Sequence, residues 1–333
     1  IGTSQTVQLD QGKLFFEDFP KGMKITANIS ASDIDGAISR ARGLTNRVLS
    51  LFSFVTKCSI PELLIMKAYD VTPGKKVGKY IQHCYDIPFS GGSARTLDKT
   101  ALGKCSRSIS KLEEIDNNRV LRSMHWFRLA IQSKDYIERF TSLWIGLETI
   151  NLTLCKHYEI EVEYSTCEHC GKNAPILTGV RKLLSEIGDS NLKWREISKL
   201  RAITFHGSQP LHVVVPQLKE KLHSLQNALY KGLCLVLDLE ESSEDIVDMV
   251  NSHEAHHLST AEISGPDLQF IDREIVPTFD YEIGVVHLKT SGTPFIFRAT
   301  PVIDERYKFI GDTHTLMAQP HLAQQMTTDF EME

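Results

Sequence analysis

One segment in the middle of the chain constrains the fold most strongly. Between Asp135 and Cys155, apolar residues recur at intervals of three or four positions, namely Ile137, Phe140, Trp144, Leu147, Ile150 and Leu154. This spacing places them on one side of an α-helix, which must bury that side against other elements. Three neighbouring segments have the same character: RVLRSMHWFRLAIQS, NLKWREISKLRAITF and PQLKEKLHSLQNALYKGLCLVLDL.

Four such helices with short connections predict an antiparallel four-helix bundle over residues 111–240. The largest apolar residues on the facing sides of the second and third helices are expected to form its core. They are Phe140, Trp144, Leu147, Leu200 and Phe205.

The two flanks of the bundle carry shorter, strand-like apolar runs, such as KLFFEDFP and MKITANI before it and LQFIDREIV, YEIGVVHLKT and TPFIFRATPVI after it. The chain is therefore predicted to be mainly α, with an N-terminal α+β domain at 1–110, the helical domain at 111–240 and a small β-rich extension at 241–333. The first residue is Ile1, as in a processed or partial chain.

Composition limits the class of protein. The formal net charge of −5 over 333 residues provides no overall positive field for nucleic acids, although local charge can differ. No apolar run reaches the length of a membrane span, and no signal peptide opens the chain. Seven cysteines, an odd number, fit a reducing compartment better than a disulfide framework. The expectation is a cytoplasmic protein without a membrane partner.

The third helical segment ends in RAITFHG, where a charged residue occupies the apolar side. One arc of the helical wheel holds Trp194, Ile197, Leu200 and Phe205. Arg201 lies inside that arc. Because an unpaired buried guanidinium is costly, Arg201 needs a partner, an anion or an interface. The alternative is that its side chain extends past the core edge or pairs with a carboxylate.

His206 follows at the end of the same segment. It lies roughly 140° from Arg201 on an ideal helix, so one continuous helix cannot direct both side chains at one atom. Gly207 is placed as a left-handed helix cap, which would put His206 in the last turn or beyond it. Either the histidine turns there, or two copies of the helix end face each other across a two-fold axis. A capping or surface histidine is the simpler alternative.

Local charge around this segment is compatible with an anion site. Residues 172–201 contain seven Lys or Arg and three acidic residues, an excess of four in an acidic chain. Such a region is either a solvated face or a surface that binds phosphates.

In the third helix of such a bundle, Arg201 and His206 are separated by four residues. This motif resembles that of the HEPN ribonucleases. The second helix, YIERFTSLWIGLETI, is similar to the corresponding helix of the Apea-like HEPN group in its aromatic, tryptophan and leucine–glutamate pattern. The resemblance covers about residues 115–240. Members of the family usually have a polar residue directly after the arginine, where this chain has Ala202.

The resemblance implies metal-independent cleavage of RNA in a cleft between two copies of the chain, with Arg201 and His206 as catalytic residues. Glu148 matches the family's glutamate in the second helix and would orient Arg201, unless it is only an exposed helical glutamate. The resemblance also implies a toxin-like effector of bacterial antiphage defence, with an antitoxin or trigger protein as a further partner. The flanking domains, including the N-terminal domain at 1–110, would then sense the trigger or restrain the nuclease.

The sequence CEHCGK predicts half of a structural zinc site. Cys167 and Cys170 have the spacing of a zinc knuckle, and tetrahedral zinc needs two further ligands. Cys155, His157 and His169 are the nearby candidates. A redox pair or two free thiols are the alternatives, although no strand–helix unit of a thioredoxin-like fold surrounds the pair.

Two other functions remain open from the sequence. One is a non-catalytic HEPN module that binds a nucleotide or a protein partner and is stabilised by structural zinc. The other is a zinc-stabilised scaffold without a nucleic-acid role.

Overall fold

The computed structural model describes residues 5–9, 12–19, 22–60, 63–69, 78–86, 95, 97–166, 173–247, 256–265, 280–287, 295–302 and 313–318. Contacts divide the chain into two compact units. The helical unit comprises Gly43–Glu62 and Gly92–Asn251. The strand unit comprises Ser4–Arg42, Leu63–Gly91 and Ser252–Glu333.

The described helices confirm the prediction of a mainly α chain. In order they are α1 (Ile34–Thr56), α2 (Lys99–Lys111), α3 (Glu114–Gln132), α4 (Tyr136–His157), α5 (Thr178–Ile187), α6 (Trp194–His206) and α7 (Leu211–Val236). The four helices expected from periodicity are α3, α4, α6 and α7. The helix α7 begins five residues before Pro216, where the sequence pattern placed its first turn.

The central helix α4 packs against both α3 and α7. Only three residues connect α3 to α4, so the two helices run antiparallel. Asp135 fixes the start of α4 because its Oδ1 accepts from the backbone N–H groups of Ile137 and Glu138, each at 2.9 Å. Such a cap typically stabilises a helix by about 1 kcal/mol.

The core of the helical unit contains four of the five residues predicted for it. Phe140 and Leu147 are fully buried, Trp144 is 2% exposed and Leu200 is 5% exposed. Contacts within this unit also cross the predicted domain boundary at residue 110. Phe54, Cys105 and Ile109 belong to the same apolar cluster, so burial includes α2 and the end of α1 in this unit.

A buried carboxylate joins α3 to α4. Asp116 is 4% exposed and accepts hydrogen bonds from Arg119, Thr153 and Lys156, all at 3.0 Å. Burial raises the pKa of Asp116, but the three donors outweigh it and the pKa lies below its ordinary value. The charged carboxylate therefore stabilises the folded state at neutral pH.

The acidic segment EESSED after α7 is held on the helical unit. Lys57, only 5% exposed, donates its Nζ–H groups to the backbone carbonyls of Ser242 and Glu244. Burial lowers the pKa of Lys57. Backbone hydrogen bonds also join Val247 to Lys57 and Ser59. These contacts define where the helical unit ends along the chain.

The strand unit contains two antiparallel sheets. The first has the order β1 (Gln5–Leu9), β2 (Gly12–Phe19) and β3 (Gly22–Ile29). The strands of the second sheet are β4 (Lys67–Tyr69), β5 (Gly78–Asp86), β8 (His256–Gly265), β9 (Asp280–His287), β10 (Phe295–Val302) and β11 (Thr313–Ala318). They lie side by side in the order β4–β5–β8–β11–β10–β9.

The second sheet joins strands from both flanks of the sequence. Lys79 of β5 lies opposite Ser264 of β8 in an antiparallel register. The regions predicted as an N-terminal domain and a C-terminal extension thus contribute to one sheet, and sequence periodicity does not report such long-range pairing. The predicted strand LQFIDREIV lies outside the described residues.

Candidate active site at the end of helix α6

Two tryptophans help to attach α6 to the bundle. The ring of Trp194, in the first turn of α6, lies 6.0 Å from the ring of Trp144 in α4. Ile197 is fully buried and Leu200 is nearly so. These residues fix the rotation of α6 about its axis. Arg201 consequently lies at the edge of the core rather than inside it.

Glu148 is the partner of Arg201. The Nη2 atom of Arg201 lies 3.4 Å from Oε1 of Glu148, and the two side chains are 37% and 34% exposed. Nε1 of Trp144 donates to the same carboxylate oxygen at 2.5 Å. An ion pair of this length and exposure contributes no more than about 1 kcal/mol to stability. Its consequence is orientation, because the indole holds the carboxylate and the carboxylate holds the guanidinium.

The guanidinium has a second contact on its own helix. Its Cζ atom lies 5.0 Å from the centroid of the Phe205 ring. The Nε atom of Arg201 is buried and has no hydrogen-bond partner in the described part of the chain. Arg201 is therefore held by a carboxylate and an aromatic ring, while more than a third of its side chain faces solvent.

The prediction that Phe205 belongs to the core is wrong. Its side chain is 42% exposed. The reason is the position of α6 relative to its neighbours. From Phe205 to Val213 every residue is exposed, and burial resumes only at Val214 in α7. The last turn of α6 and the first turn of α7 thus extend beyond the packed part of the bundle.

His206 lies in the last turn of α6, as predicted, and it is exposed. Gly207 follows with φ 60° and ψ 28°, and its backbone N–H donates to the carbonyl of Ile203. This confirms the left-handed cap. Within the described residues no hydrogen bond joins His206 to Arg201 or Glu148. One protomer therefore brings Arg201 and Glu148 together and leaves His206 on a different face of the helix.

The face of α6 that carries His206 is basic. Arg195, Lys199 and His206 lie within about 40° of one another on the helical wheel, and all three are exposed. Ala202 lies between them on the same face. At 1.5 Å per residue the stripe from Arg195 to His206 is about 16 Å long. It matches the local charge excess noted in the sequence.

The predicted zinc site lies partly outside the described residues. Cys167, His169 and Cys170 fall in that region. They follow β6 (Tyr164–Thr166) and precede β7 (Asn173–Pro175), which pair antiparallel. The chain between two paired strands is a suitable place for a CxxC knuckle. Zinc bound by Cys167 and Cys170 remains a prediction.

The two distal ligands predicted from α4 do not converge. Cys155 is fully buried, with its Sγ 3.6 Å from Oγ1 of Thr178, whereas His157 is exposed with its ring against Tyr158. Two positions along a helix correspond to a rotation of about 200°, so the side chains of Cys155 and His157 lie on nearly opposite sides of α4. At most one of the pair can therefore bind the same ion. Among the described residues, no group of three His, Cys, Asp or Glu side chains could hold a metal.

The sequence did not reveal two of the contacts that build this site. Trp144 was expected only as a core residue, yet its indole N–H orients Glu148. Phe205 was also expected only in the core, yet it stacks with Arg201. Both pairs have the i,i+4 spacing that brings helical side chains together, and this is the signal that could have identified them.

The described helices include none that is both long enough and apolar enough to cross a membrane.

The arrangement at the end of α6 offers a positioned cation, an adjacent exposed imidazole and a basic helix face. These groups suit binding of a phosphate and transfer of a proton. Comparisons of the chain with known protein families, with curated proteins and with solved structures found no match.

Proposed function

We propose that the protein is a metal-independent endoribonuclease. The scissile phosphate of the RNA binds to Arg201, and His206 transfers the protons of the reaction. The 2′ oxygen of the RNA forms a bond to phosphorus while the bond from phosphorus to the 5′ oxygen breaks. The proton of the 2′-OH is removed and a proton is delivered to the leaving oxygen. The products are a 2′,3′-cyclic phosphate and a 5′-OH.

One observation carries this proposal. The guanidinium of Arg201 is held by Glu148 and remains partly exposed, at a helix end that also presents His206. A guanidinium can bind a phosphate through two parallel hydrogen bonds and stabilise the charge that develops on it. An imidazole titrates close to neutral pH and can act as acid or base. No metal is needed to generate a nucleophile that the substrate already contains.

The proposed cleft is formed by two copies of the chain. Arg201 and His206 of one protomer point in different directions, so a second copy is required to surround one phosphate with both residue types. Leu211 and Val213, in the first turn of α7, are exposed apolar residues at the same end of the bundle, with Leu211 64% exposed. Burying them in a two-fold contact would stabilise a dimer. Light scattering across a dilution series should report a mass of two chains.

The function is tested by incubating the full chain with single-stranded and structured RNA in EDTA. The wild type should cleave, and Arg201→Ala should lose roughly 100- to 1,000-fold in kcat. Arg107→Ala, which changes an exposed arginine on α2, is the matched control and should keep full activity. If the wild type binds RNA without cleaving it, the protein is better described as a non-catalytic module. If it does not bind RNA even at low salt, it is better described as a scaffold.

The proposed biological role comes from the resemblance to the HEPN ribonucleases. A nuclease that cleaves cellular RNA arrests growth, as expected of a toxin-like effector in antiphage defence. Induced expression of the wild type in bacteria should stop growth, whereas His206→Ala should not. Equal growth with both chains at equal protein levels would contradict this role.

A further inference from the structure

We infer that Phe205 is a nucleobase platform that positions the nucleotide beside Arg201. This inference rests on the proposed function and adds a positioning residue to it. The juxtaposition that carries it is an exposed aromatic ring in direct contact with the guanidinium proposed to bind the phosphate.

Phe205 is exposed because the last turn of α6 extends beyond the packed part of the bundle. The side chain is 42% exposed, so a ligand can reach its ring. The ring is held by Arg201, whose Cζ lies 5.0 Å from its centroid. A fixed and partly open aromatic surface is what a stacked base requires, because every base has a π-face that can lie against it.

The neighbouring charges determine what lies beside that base. Arg201 is adjacent to Phe205, so a phosphate bound by the guanidinium and a base on the ring belong to the same nucleotide or to neighbouring ones. The exposed basic stripe of Arg195, Lys199 and His206 lies about 100° from Phe205 around α6, so the backbone that continues from this nucleotide can reach the stripe by curving around the helix. Alternation of a basic track with an aromatic ring is the usual arrangement in proteins that bind single strands.

Duplex RNA does not satisfy this arrangement. In an A-form helix each base is stacked on its neighbours and paired, so its face is not available to a side chain. A base reaches Phe205 only in a single strand, a loop or a bulge. The ring therefore acts as a positioning residue that selects unpaired nucleotides and places the adjacent phosphate at Arg201.

The test measures binding to an RNA that cannot be cleaved. A 2′-O-methyl oligonucleotide of about 12 nucleotides, with 2-aminopurine at every third position, reports stacking by fluorescence quenching and affinity by titration. The wild type should quench the probe and should bind it at least tenfold more tightly than its duplex form. Phe205→Ala should weaken single-strand binding by roughly 5- to 100-fold and abolish the quenching. Phe205→Tyr should retain both properties.

Two further variants distinguish base stacking from apolar burial and from charge attraction. Ile115→Ala removes an exposed apolar side chain on α3 that is not aromatic and should bind like the wild type. Lys199→Ala should reduce the slope of log affinity against log salt by about one unit while quenching persists. The inference is overturned if Phe205→Ala binds the probe RNA and quenches its fluorescence normally. It is also overturned if the only effect of Phe205→Ala is to dissociate the dimer. If the wild type cleaves RNA in EDTA in either case, the proposed function stands without the platform.

Discussion

The guanidinium of Arg201 contacts both a carboxylate and an aromatic ring, with Phe205 on its own helix and Glu148 on α4. A lone arginine at a helix end has several rotamers that differ little in energy. These two contacts select among them. The arginine is thus positioned before any anion arrives, which is the condition for a group to stabilise a transition state without reorganising.

The carboxylate should matter for orientation rather than for binding. In Glu148→Gln the amide keeps the shape of the side chain and loses the charge that holds Arg201. We expect kcat for RNA cleavage to fall by roughly 10- to 100-fold. KM should stay constant or fall, because a negative charge is removed from the neighbourhood of the phosphate. Steady-state kinetics checks that kcat falls while KM does not rise. The control is Glu161→Gln, which changes an exposed glutamate outside the helices. A higher KM at constant kcat would contradict a positioning role.

Core and surface aromatics should differ sharply in their contribution to stability. Trp144 is 2% exposed and Phe205 is 42% exposed. Trp144→Ala should lower the free energy of unfolding of the helical unit by about 3–5 kcal/mol. Phe205→Ala should lower it by less than about 0.5 kcal/mol. Urea unfolding followed by circular dichroism of the helices measures both. A comparable loss in the two variants would mean that the end of α6 is packed after all.

This pair of residues also shows what the sequence can and cannot predict. Periodicity identified the buried side of α4 correctly, because the interior of a helix repeats regularly along the chain. The same periodicity placed Phe205 on the apolar side of α6. Periodicity carries no information, however, about where the helices that cover α6 end. Contacts between remote parts of the chain were equally invisible. Examples are Lys57 with Ser242 and the pairing of β5 with β8.

Site residues were predictable where chemistry is local. The pair of Arg201 and Gly207 follows from the apolar arc and the need for a helix cap. Glu148 was named from a family resemblance, and its contact with Arg201 depends on how α4 and α6 pack. The role of Trp144 could not be derived from its burial alone, since one side chain both fills the core and donates a hydrogen bond.

The buried carboxylate between α3 and α4 should make stability depend on pH. The pKa of Asp116 is lower in the folded protein than in the unfolded chain. It therefore stabilises the fold above its unfolded pKa of about 3.9, and this contribution disappears as pH falls through the folded pKa. Asp116→Asn should be less stable than the wild type by roughly 1–3 kcal/mol at pH 7. The difference should shrink in acid.

Urea unfolding at several pH values compares Asp116→Asn with Asp35→Asn, which changes an exposed aspartate in the first turn of α1. The control should follow the wild type within about 0.5 kcal/mol at each pH. A deficit for Asp116→Asn that stays constant down to pH 3 would show that the charge of this carboxylate contributes nothing.

The predicted zinc should depend on the CxxC pair and not on the buried Cys155 of α4. Protein purified without added metal should contain close to one zinc atom per chain by elemental analysis. Cys167→Ser and Cys170→Ser should each lose it. Cys155→Ser should keep it if the buried thiol only packs against Thr178. Freely titratable Cys167 and Cys170 thiols in a metal-free native protein would contradict the site.

The central claim is cleavage by the substrate's own 2′-OH with Arg201 and His206 as the catalytic residues. The most direct measurement is mass spectrometry of the product ends from a single-stranded RNA incubated with the full chain in EDTA. We expect 2′,3′-cyclic phosphate and 5′-OH ends. We also expect no cleavage where the 2′-OH is methylated and a rate roughly 100- to 10,000-fold lower in His206→Ala. Products with 5′-phosphate ends, cleavage that persists at methylated positions, or an undiminished rate in His206→Ala would contradict the claim.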